Sequence, residues 1–270
     1  MDKIIWLSDI HFDRQKKSNI KRFTKELNKE SPDMIVISGD ISNGRDTIKH
    51  LHSFCSNLTS KVCFVLGNHD YHWKSFSKLE SELKHVTALD NSYWLTESGV
   101  VKLNSNTCII GTEGWYDAAF GDPMSLTFSP DWMLIKDLRK LNSMKDRIDM
   151  FKKLAEQSVK IITSQIKSAF EKYDTAYLVT HFPPFKLAVE PPPAPYISDL
   201  WYSYNTNYLL GEEILLIMSS YQNKMLKILA GHTHYEREFS PVQNVICNVA
   251  GPSYCDKLKL SQLIIVNKQK

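Results

Sequence analysis

The chain has 270 residues, of which 43% are hydrophobic and 23% charged, and its net charge is +3. These proportions are ordinary for a folded protein with a sizeable core. The weak charge does not demand nucleic acid as a partner, and it allows a small phosphorylated ligand held by local charge. No apolar run approaches the roughly 18 residues that span a bilayer, and the N-terminus turns polar too early for a signal peptide. We therefore expect a cytoplasmic protein that does not enter a membrane.

The five cysteines agree with that compartment. Their number is odd and no C-x-x-C pair occurs, so the sequence indicates neither a disulfide framework nor a zinc ribbon. Such cysteine usage fits a reducing environment.

The first 90 residues alternate between short apolar runs and amphipathic stretches. Residues 3–7, 34–38 and 62–66 are predicted strands, and a polar turn and an amphipathic helix follow each one. Three successive units of this kind predict a parallel sheet covered by helices. The polar turns then lie at the same edge of the sheet.

The remaining elements are less regular. Residues 93–111 are predicted to form a meander of three short strands, residues 114–130 a surface loop, and residues 131–172 a helical segment. A further helix is predicted over residues 207–220. The later strands are predicted at residues 175–180, 226–230, 245–249 and 263–266.

Five predicted strands end in residues that can bind metal ions or move protons. The strand-end sequences are Asp9-x-His11, Gly39-Asp40, Gly67-Asn68-His69-Asp70, His181 and Gly231-His232-Thr233-His234. Any one of them has an ordinary explanation, because a lone histidine is commonly structural and Gly-Asn-His-Asp favours a turn. Five such coincidences at strand ends favour a shared site.

The ligand chemistry of these clusters indicates a metal site without sulfur. Imidazole suits Zn, Fe, Mn, Co or Ni, and carboxylates disfavour thiophilic metals. In D-x-H and H-x-H, alternate side chains point to one side of an extended segment, so both can reach one site. The set exceeds what one metal needs and suits two metals that share a bridging carboxylate. Two metals roughly 3.5–4 Å apart clamp a phosphoryl group and generate a hydroxide nucleophile.

The order of these motifs resembles that of the calcineurin-like metallophosphoesterase superfamily, over residues 9–234. The resemblance implies an α/β fold, a four-layer αββα sandwich of two mixed β-sheets flanked by helices, in a single domain over residues 1–270. It also implies a phosphoester hydrolase with two divalent or trivalent transition-metal ions (Mn, Fe, Zn, Co or Ni), in which a metal-bridging hydroxide attacks phosphorus in line.

Motif by motif, the resemblance implies a role for each site residue. The expected ligands of the first metal are Asp9, His11 and His234, and those of the second are Asn68, His181 and His232. Asp40 would bridge the two ions. His69 would be the catalytic group outside the metal shell, as general acid or charge stabiliser, and Asp70 would orient or polarise His69.

Departures from some subfamilies narrow the substrate class. Protein serine/threonine phosphatases of this superfamily have an arginine where Leu66 stands, and G-D-x-x-D-R-G where this chain has residues 39–44. Purple acid phosphatases have a metal-binding tyrosine in place of Asn43. The motifs look closer to the cyclic-nucleotide phosphodiesterase branch, so we expect a phosphodiesterase acting on a nucleotide or other small phosphorylated molecule.

The same motifs are compatible with three different functions. The first is a phosphomonoesterase, and the second is a metal-dependent nuclease, which the absence of a strongly basic surface disfavours. The third is a non-catalytic scaffold with the same fold. Such scaffolds usually lose ligands or the histidine of the third motif, whereas every position is filled here.

Two segments are candidates for setting substrate choice. Residues 115–172 would form a helical cap insertion, and residues 182–205 a proline- and aromatic-rich active-site loop. The loop aromatics are Phe185, Tyr196, Trp201, Tyr202 and Tyr204, which would contact the substrate or pack a small core of their own. Arg14 is either a phosphate contact or a solvated residue. Asn43 is either a phosphate contact or a helix-cap or turn residue. The remaining histidines, expected on the surface, are His50, His52, His72 and His85.

Overall fold

The structure, a computed structural model, describes residues 2–120, 129–190, 198–251 and 262–266. The strands in these ranges are β1 (Asp2–Leu7), β2 (Met34–Ser38), β3 (Lys61–Val65), β4 (Ser92–Trp94), β5 (Val101–Lys102), β6 (Thr107–Gly111), β7 (Thr175–Thr180), β8 (Met225–Ala230), β9 (Arg237–Val242), β10 (Val245–Val249) and β11 (Gln262–Val266). The helices are α1 (Lys17–Glu30), α2 (Thr47–Ser56), α3 (Asn68–Tyr71), α4 (Phe76–Thr87), α5 (Leu95–Ser98), α6 (Asp131–Leu134), α7 (Lys136–Arg139), α8 (Met144–Phe170), α9 (Ser198–Asn205) and α10 (Tyr208–Ser219).

The strands form two mixed sheets. The first has the order β11-β1-β2-β3-β4, in which β1 to β4 are parallel and β11 is antiparallel to β1. The second has the order β5-β6-β7-β8-β10-β9, with a parallel centre and an antiparallel strand at each edge. The three predicted β–turn–α units are therefore confirmed as the core of the first sheet.

Alternation of side chains along the strands builds three apolar layers. In β1, Ile5 packs with α1, α2 and α4, whereas Trp6 points the other way, into a cluster that it shares with the second sheet. In β7, Tyr177 belongs to that same inter-sheet cluster and Leu178 packs with α8 and α10. The order helix, sheet, sheet, helix confirms the predicted four-layer αββα sandwich.

Three local predictions differ from the structure. The meander over residues 93–111 is wrong, because β4 pairs in parallel with β3 while β5 and β6 belong to the second sheet. The surface loop over residues 114–130 is wrong at its start, since Trp115 and Tyr116 are buried. The helical segment 131–172 is three helices, α6 to α8, of which α8 is the long one.

The long helix α8 contacts both halves of the sandwich. Phe151, in its first half, packs into the aromatic part of the first core cluster, and Ile162 and Ile166, in its second half, pack on the second sheet. The idea that residues 115–172 cap the substrate stays a prediction. No helix of the described ranges is long and apolar enough to cross a bilayer.

Candidate metal centre at the strand ends

The sequence-predicted site residues lie together where strands of both sheets end. They follow β1 (Asp9, His11), β2 (Asp40), β3 (Asn68, His69, Asp70), β7 (His181) and β8 (His232, His234). Hydrogen bonds join these ends to one another. The backbone N–H of Asp9 donates to the carbonyl of Gly39 (3.1 Å), and the N–H of Gly231 donates to the carbonyl of His181 (3.0 Å). Across the two sheets, the backbone N–H of His232 donates to the carboxylate of Asp9 (3.3 Å), so the turns of the first and second sheets meet at one place.

The backbone at these turns is left-handed. Of the eight non-glycine residues with positive φ in the described ranges, five are predicted ligands: Asp9 (52°), His11 (41°), Asp40 (51°), His232 (71°) and His234 (58°). Side chains with a Cβ rarely adopt this conformation, which costs on the order of 1–3 kcal/mol per residue. Such strain persists only where the surrounding structure imposes it, and it concentrates at functional sites.

Gly67 allows the third motif to approach the second. A Cβ built on Gly67 would lie 2.1 Å from Oδ1 of Asp40 and 2.7 Å from the ring of His181. No other residue fits, because any side chain would occupy the space of the carboxylate. The glycine therefore belongs to the site as much as the polar residues that follow it.

Asp40 lies at the centre of the cluster, and its two carboxylate oxygens face different histidines. Oδ1 is 3.5 Å from Nε2 of His181 and accepts a hydrogen bond from the backbone N–H of His69 (3.0 Å). Oδ2 is 3.8 Å from Nε2 of His11 and 3.8 Å from Nε2 of His69. This arrangement fits a carboxylate that bridges two cations.

On one side of Asp40, ring nitrogens of His181 and His232 converge with the side-chain oxygen of Asn68. Nδ1 of His181 is 2.9 Å from the carbonyl oxygen of Ser38, which can only accept, so Nδ1 carries the hydrogen and Nε2 has the lone pair. That Nε2 faces Oδ1 of Asn68 at 3.1 Å and Nδ1 of His232 at 3.2 Å. The backbone carbonyl fixes the tautomer, as is common for metal-binding histidines.

On the other side, Asp9, His11 and His234 form a second group. Each offers one ligand atom, and these atoms lie within 4.8 Å of one another. Nε2 of His234 is 3.7 Å from Oδ1 of Asp9. Nδ1 of His11 is buried without a hydrogen-bond partner, which is costly unless another partner is bound. The residues present therefore fit two metal ions.

Burial sets the charge state of the cluster. Burial, with the charges of His69 and Arg14, lowers the pKa of His11 to about 2. Burial and the charge of His72 lower the pKa of His69 to about 4, and burial raises the pKa of Asp40 to about 7. The imidazole of His11 is thus neutral, as a metal ligand must be, and the site penalises a carboxylate charge that a bound cation would offset.

The side chain of His69 is more open to solvent than those of His11, His181 and His234. It is 32% exposed, compared with 21% for His234, 9% for His11 and none for His181. A group that touches substrate must be reachable, whereas a ligand can be enclosed. The exposure of His69 agrees with the role predicted for it.

Asp70 does not contact the ring of His69 in its described hydrogen bonds, so the idea that it orients His69 is not supported. Its carboxylate accepts from the backbone N–H groups of Ile41 (3.2 Å), Ser42 (3.0 Å) and Gly67 (2.9 Å) and from the hydroxyl of Thr47 (3.0 Å). Burial raises the pKa of this carboxyl to about 7. Asp70 joins the second motif to the third.

Two residues of the site were missed by sequence reasoning. Oδ1 of Asp131 accepts from Nδ2 of Asn68 (3.0 Å), and it lies 2.8 Å from Nε2 of His72. His72, expected on the surface, is buried, and its ring centroid lies 4.5 Å from that of His69. Burial opposes ionisation of Asp131, yet the hydrogen bonds from His72 and Asn68 lower its pKa overall. Asp131 lies 63 residues after Asn68, and no motif marks it.

The candidate substrate residues are partly enclosed. Phe185 and Tyr204 are buried, and Trp201 is half-buried and donates its Nε1–H to the carbonyl of Val189 (2.6 Å). Lys186 lies 4.9 Å from the ring of Tyr202. Tyr196 lies outside the described residues.

The two isolated polar candidates also have defined positions. Arg14 is exposed, and its charge reaches His11 and His69. Oδ1 of Asn43 accepts from the backbone N–H of Arg45 (3.1 Å), which is the turn role considered for it. Arg14 remains a candidate phosphate contact.

Solved structures with a similar fold include a hydrolase and a dimetal phosphatase. A phosphopantetheinyl hydrolase from Mycobacterium tuberculosis is 14% identical with a TM-score of 0.60, and the match covers 93% of this chain and 89% of that chain. A dimetal phosphatase from Danio rerio is 14% identical with a TM-score of 0.55, and the match covers 93% and 87%. At such identities the likeness establishes the fold.

The sequence comparisons identify the family to which the chain belongs. An uncharacterized metallophosphoesterase from Campylobacter jejuni is 35% identical over 90 residues, which are 31% of this chain and 24% of that protein. A family model described as calcineurin-like phosphoesterase matches residues 2–236, a range that includes every strand-end cluster. The chain therefore belongs to the calcineurin-like phosphoesterase family, a family of metal-dependent hydrolases of phosphoester bonds.

Proposed function

We propose that this protein is a dinuclear metal-dependent phosphodiesterase that acts on a nucleotide or another small phosphorylated molecule. The observation that supports it most directly is the position of Asp40, whose two oxygens face separate histidine groups. When bound, two metal ions would polarise the phosphoryl oxygens and supply the nucleophile at neutral pH. The ligands would be Asp9, His11, Asp40 and His234 for one ion, and Asp40, Asn68, His181 and His232 for the other.

His69 would act on the substrate directly. With its pKa lowered to about 4, the imidazole is neutral at pH 7 and donates a hydrogen bond to a phosphoryl or leaving-group oxygen. The negative charge of a bound phosphoester would raise the proton affinity of the ring, which also allows proton transfer to the departing alkoxide. His69 thus stabilises charge that develops on the reacting oxygens.

The electrostatics favour a diester over a monoester. A phosphomonoester is a dianion near neutral pH and needs several cationic groups, whereas a diester carries a single charge. Leu66, in the position of the phosphatase arginine, is fully buried in the apolar core. The charge of Arg14 reaches the site. Since two bound metal ions would supply most of the positive charge there, the support for a diester is the missing arginine contact rather than a balance of charges.

The test compares two chromogenic substrates that differ in the ester. Metal-free protein is loaded with Mn²⁺ and assayed with bis-p-nitrophenyl phosphate and with p-nitrophenyl phosphate, and the Asp40→Asn variant serves as the inactive control. We expect a kcat/KM for the diester at least about tenfold above that for the monoester, which corresponds to about 1.4 kcal/mol. A preference for the monoester would identify a phosphomonoesterase instead.

Two further outcomes would indicate a nuclease or a scaffold. Cleavage of single-stranded DNA in preference to small diesters would identify a nuclease. Protein that binds two Mn²⁺ ions but hydrolyses none of these substrates would identify a non-catalytic scaffold. A panel of cyclic nucleotides, assayed with the same protein, then narrows the substrate.

A further inference from the structure

The amide of Asn68 presents a problem of orientation at the proposed second metal. The two ends of an asparagine amide have nearly the same shape, but only the oxygen can bind a cation, because the nitrogen is a donor. A site that uses Asn68 therefore needs a neighbour that distinguishes the two ends. Nε2 of the proposed ligand His181 offers a lone pair, which would attract the NH₂ end while no metal is present.

Asp131 supplies this distinction. Nδ2 of Asn68 donates to Oδ1 of Asp131 (3.0 Å), and Oδ1 of Asn68 faces Nε2 of His181 (3.1 Å). An ionised carboxylate accepts hydrogen bonds and donates none. If the amide were flipped, its oxygen would lie against that of Asp131 inside the protein, where such repulsion is costly.

The carboxylate of Asp131 is itself held firmly. It is buried, its Oδ1 lies 2.8 Å from Nε2 of His72, and its Oδ2 lies 3.5 Å from the hydroxyl of Tyr116. Two backbone hydrogen bonds attach the segment after Asp131 to the residues that follow the third motif. The N–H of Trp73 donates to the carbonyl of Leu134 (2.6 Å), and the N–H of Lys136 donates to the carbonyl of Lys74 (3.0 Å). Asp131 therefore keeps its position relative to Asn68.

We propose that Asp131 is a positioning residue that fixes the orientation of the Asn68 amide, directs Oδ1 into the cluster and so completes the second metal site. Asp131 contacts neither substrate nor metal in this role and acts through Asn68. The inference rests on the proposed function in one respect, namely that Asn68 is a metal ligand. It gives the otherwise unassigned α6 a specific role in the site.

The test measures the binding of Mn²⁺ to metal-free protein, by calorimetry and by the exchange-coupled signal of a dinuclear Mn²⁺ centre in electron paramagnetic resonance. Asp131→Leu removes the acceptor and keeps the branching at Cγ, although the leucine side chain is larger. We expect it to bind the first Mn²⁺ like the wild type and the second about 10–100-fold more weakly, the usual effect of losing an outer-shell partner. The matched control is Asp117→Asn, a buried carboxylate that accepts from the backbone N–H groups of Ala119 and Leu209 instead.

A second variant tests orientation itself. In the double variant Asn68→Asp/Asp131→Asn, donor and acceptor exchange places, and both oxygens of the new carboxylate are able to bind metal. We expect this swap to retain two Mn²⁺ ions and the coupled signal, whereas Asn68→Asp alone places two carboxylates together and loses the second ion. The swap keeps the volumes of both side chains, so it remains informative if Asp131→Leu does not fold.

The outcomes separate this inference from the proposed function. Wild-type protein that binds fewer than two Mn²⁺ ions would overturn the dinuclear centre and the inference with it. Wild-type protein that binds two, together with a folded Asp131→Leu variant that also binds two equally well, would overturn only the role of Asp131. Failure of the swap to bind the second ion, or an equal loss in Asp117→Asn, would also overturn it.

Discussion

The surroundings of His69 suit a residue that acts on the substrate and does not bind metal. Its side chain is exposed at 32%, and its Nε2 lies 3.8 Å from Oδ2 of Asp40. We expect His69→Ala to bind both Mn²⁺ ions and to lower kcat for a diester by about 10²–10⁴-fold, the range for loss of a positioned proton donor. Metal analysis of the purified variant, alongside its turnover at saturating Mn²⁺, would check this. Loss of an ion from the variant would mean that His69 is a ligand.

The pH dependence of metal binding should be governed by Asp40 rather than by His11 or His69. In metal-free protein, burial raises the pKa of Asp40 to about 7, so below that pH the metal must displace a proton. The pKa of His11 is lowered to about 2 and that of His69 to about 4, so these rings are already neutral.

Affinity for Mn²⁺ should therefore rise about tenfold per pH unit from about pH 5.5 to about pH 7 and level off above it. Calorimetry in two buffers of different ionisation enthalpy measures the protons released. Release that continues to increase above about pH 8 would contradict this assignment, because Asp40 would then have no proton left to lose.

The motifs predicted which side chains meet at the site, but they did not predict the neighbouring residues that hold these side chains in place. Asp9, Asp40 and His232 follow apolar strands, and their spacing is visible in the sequence. Asp131 is invisible by the same reasoning, because its partner Asn68 is 63 residues away and the contact exists only once α6 docks. His72 was expected on the surface for the same reason, since its burial depends on that docking.

At the scale of elements, the second and third motifs form one unit through Asp70. Its carboxylate accepts four hydrogen bonds from the two loops. In Asp70→Asn, one acceptor becomes a donor. Either the N–H groups of Ile41 and Gly67, which donate to Oδ2, or the N–H of Ser42, which donates to Oδ1, then lose their partner. We expect the free energy of unfolding in urea to fall by about 1–3 kcal/mol, the cost of an unsatisfied buried donor. The exposed Asp90→Asn variant is the control. An unchanged stability of Asp70→Asn would show that the loops do not depend on this carboxylate.

The predicted active-site loop after His181 includes α9, whose aromatics have different surroundings. The ring of Tyr204 is buried between Tyr116 (centroids 5.4 Å apart) and Trp132 (5.5 Å), so Tyr204→Ala should destabilise the protein by about 3 kcal/mol.

Trp201, in contrast, is half-buried. If the predicted active-site loop sets substrate choice, Trp201→Ala should change the ratio of kcat/KM between two cyclic nucleotides with little change in the unfolding temperature. An unchanged ratio would remove Trp201 from substrate recognition.

The periodicity of the sequence predicted where strands lie better than it predicted which strands pair with each other. The strand after residue 92 was recognisable from its apolar residues, but the sequence does not show that β4 pairs with β3 across α4 rather than with β5. Pairing between distant segments is decided by the whole core. Trp115 and Tyr116 follow β6 without any clear period, and their burial follows from aromatic packing on Phe151 and Phe182.

At the scale of the molecule, the two sheets meet twice. Behind the site, an apolar cluster joins the sheets through residues such as Trp6 and Tyr177. At the strand ends, Asp40 from the first sheet lies beside His181 from the second. The first contact holds the sandwich whether or not metal is present. The second brings buried carboxylates and left-handed backbone together at a cost that bound cations would offset.

Metal binding should therefore stabilise the whole fold and not only the loops. A ligand at about one hundred times its dissociation constant adds about 2.7 kcal/mol to the free energy of unfolding, and a chain of this size gains about 2–4 °C per kcal/mol. We expect Mn²⁺ to raise the unfolding temperature of metal-free protein by at least about 5 °C in calorimetry, and a chelator to reverse the change.

The Asp40→Asn variant provides the matched control for this stabilisation. Its amide keeps an oxygen for the backbone N–H of His69, which Asp40 accepts at 3.0 Å, but it removes the carboxyl whose pKa burial raises to about 7. Without metal, the variant should unfold at the wild-type temperature or slightly above it, because it buries no charge at neutral pH. It should gain much less from Mn²⁺, because the bridging charge is gone. An equal gain in the variant and the wild type would mean that the stabilising ions bind elsewhere than at the strand ends.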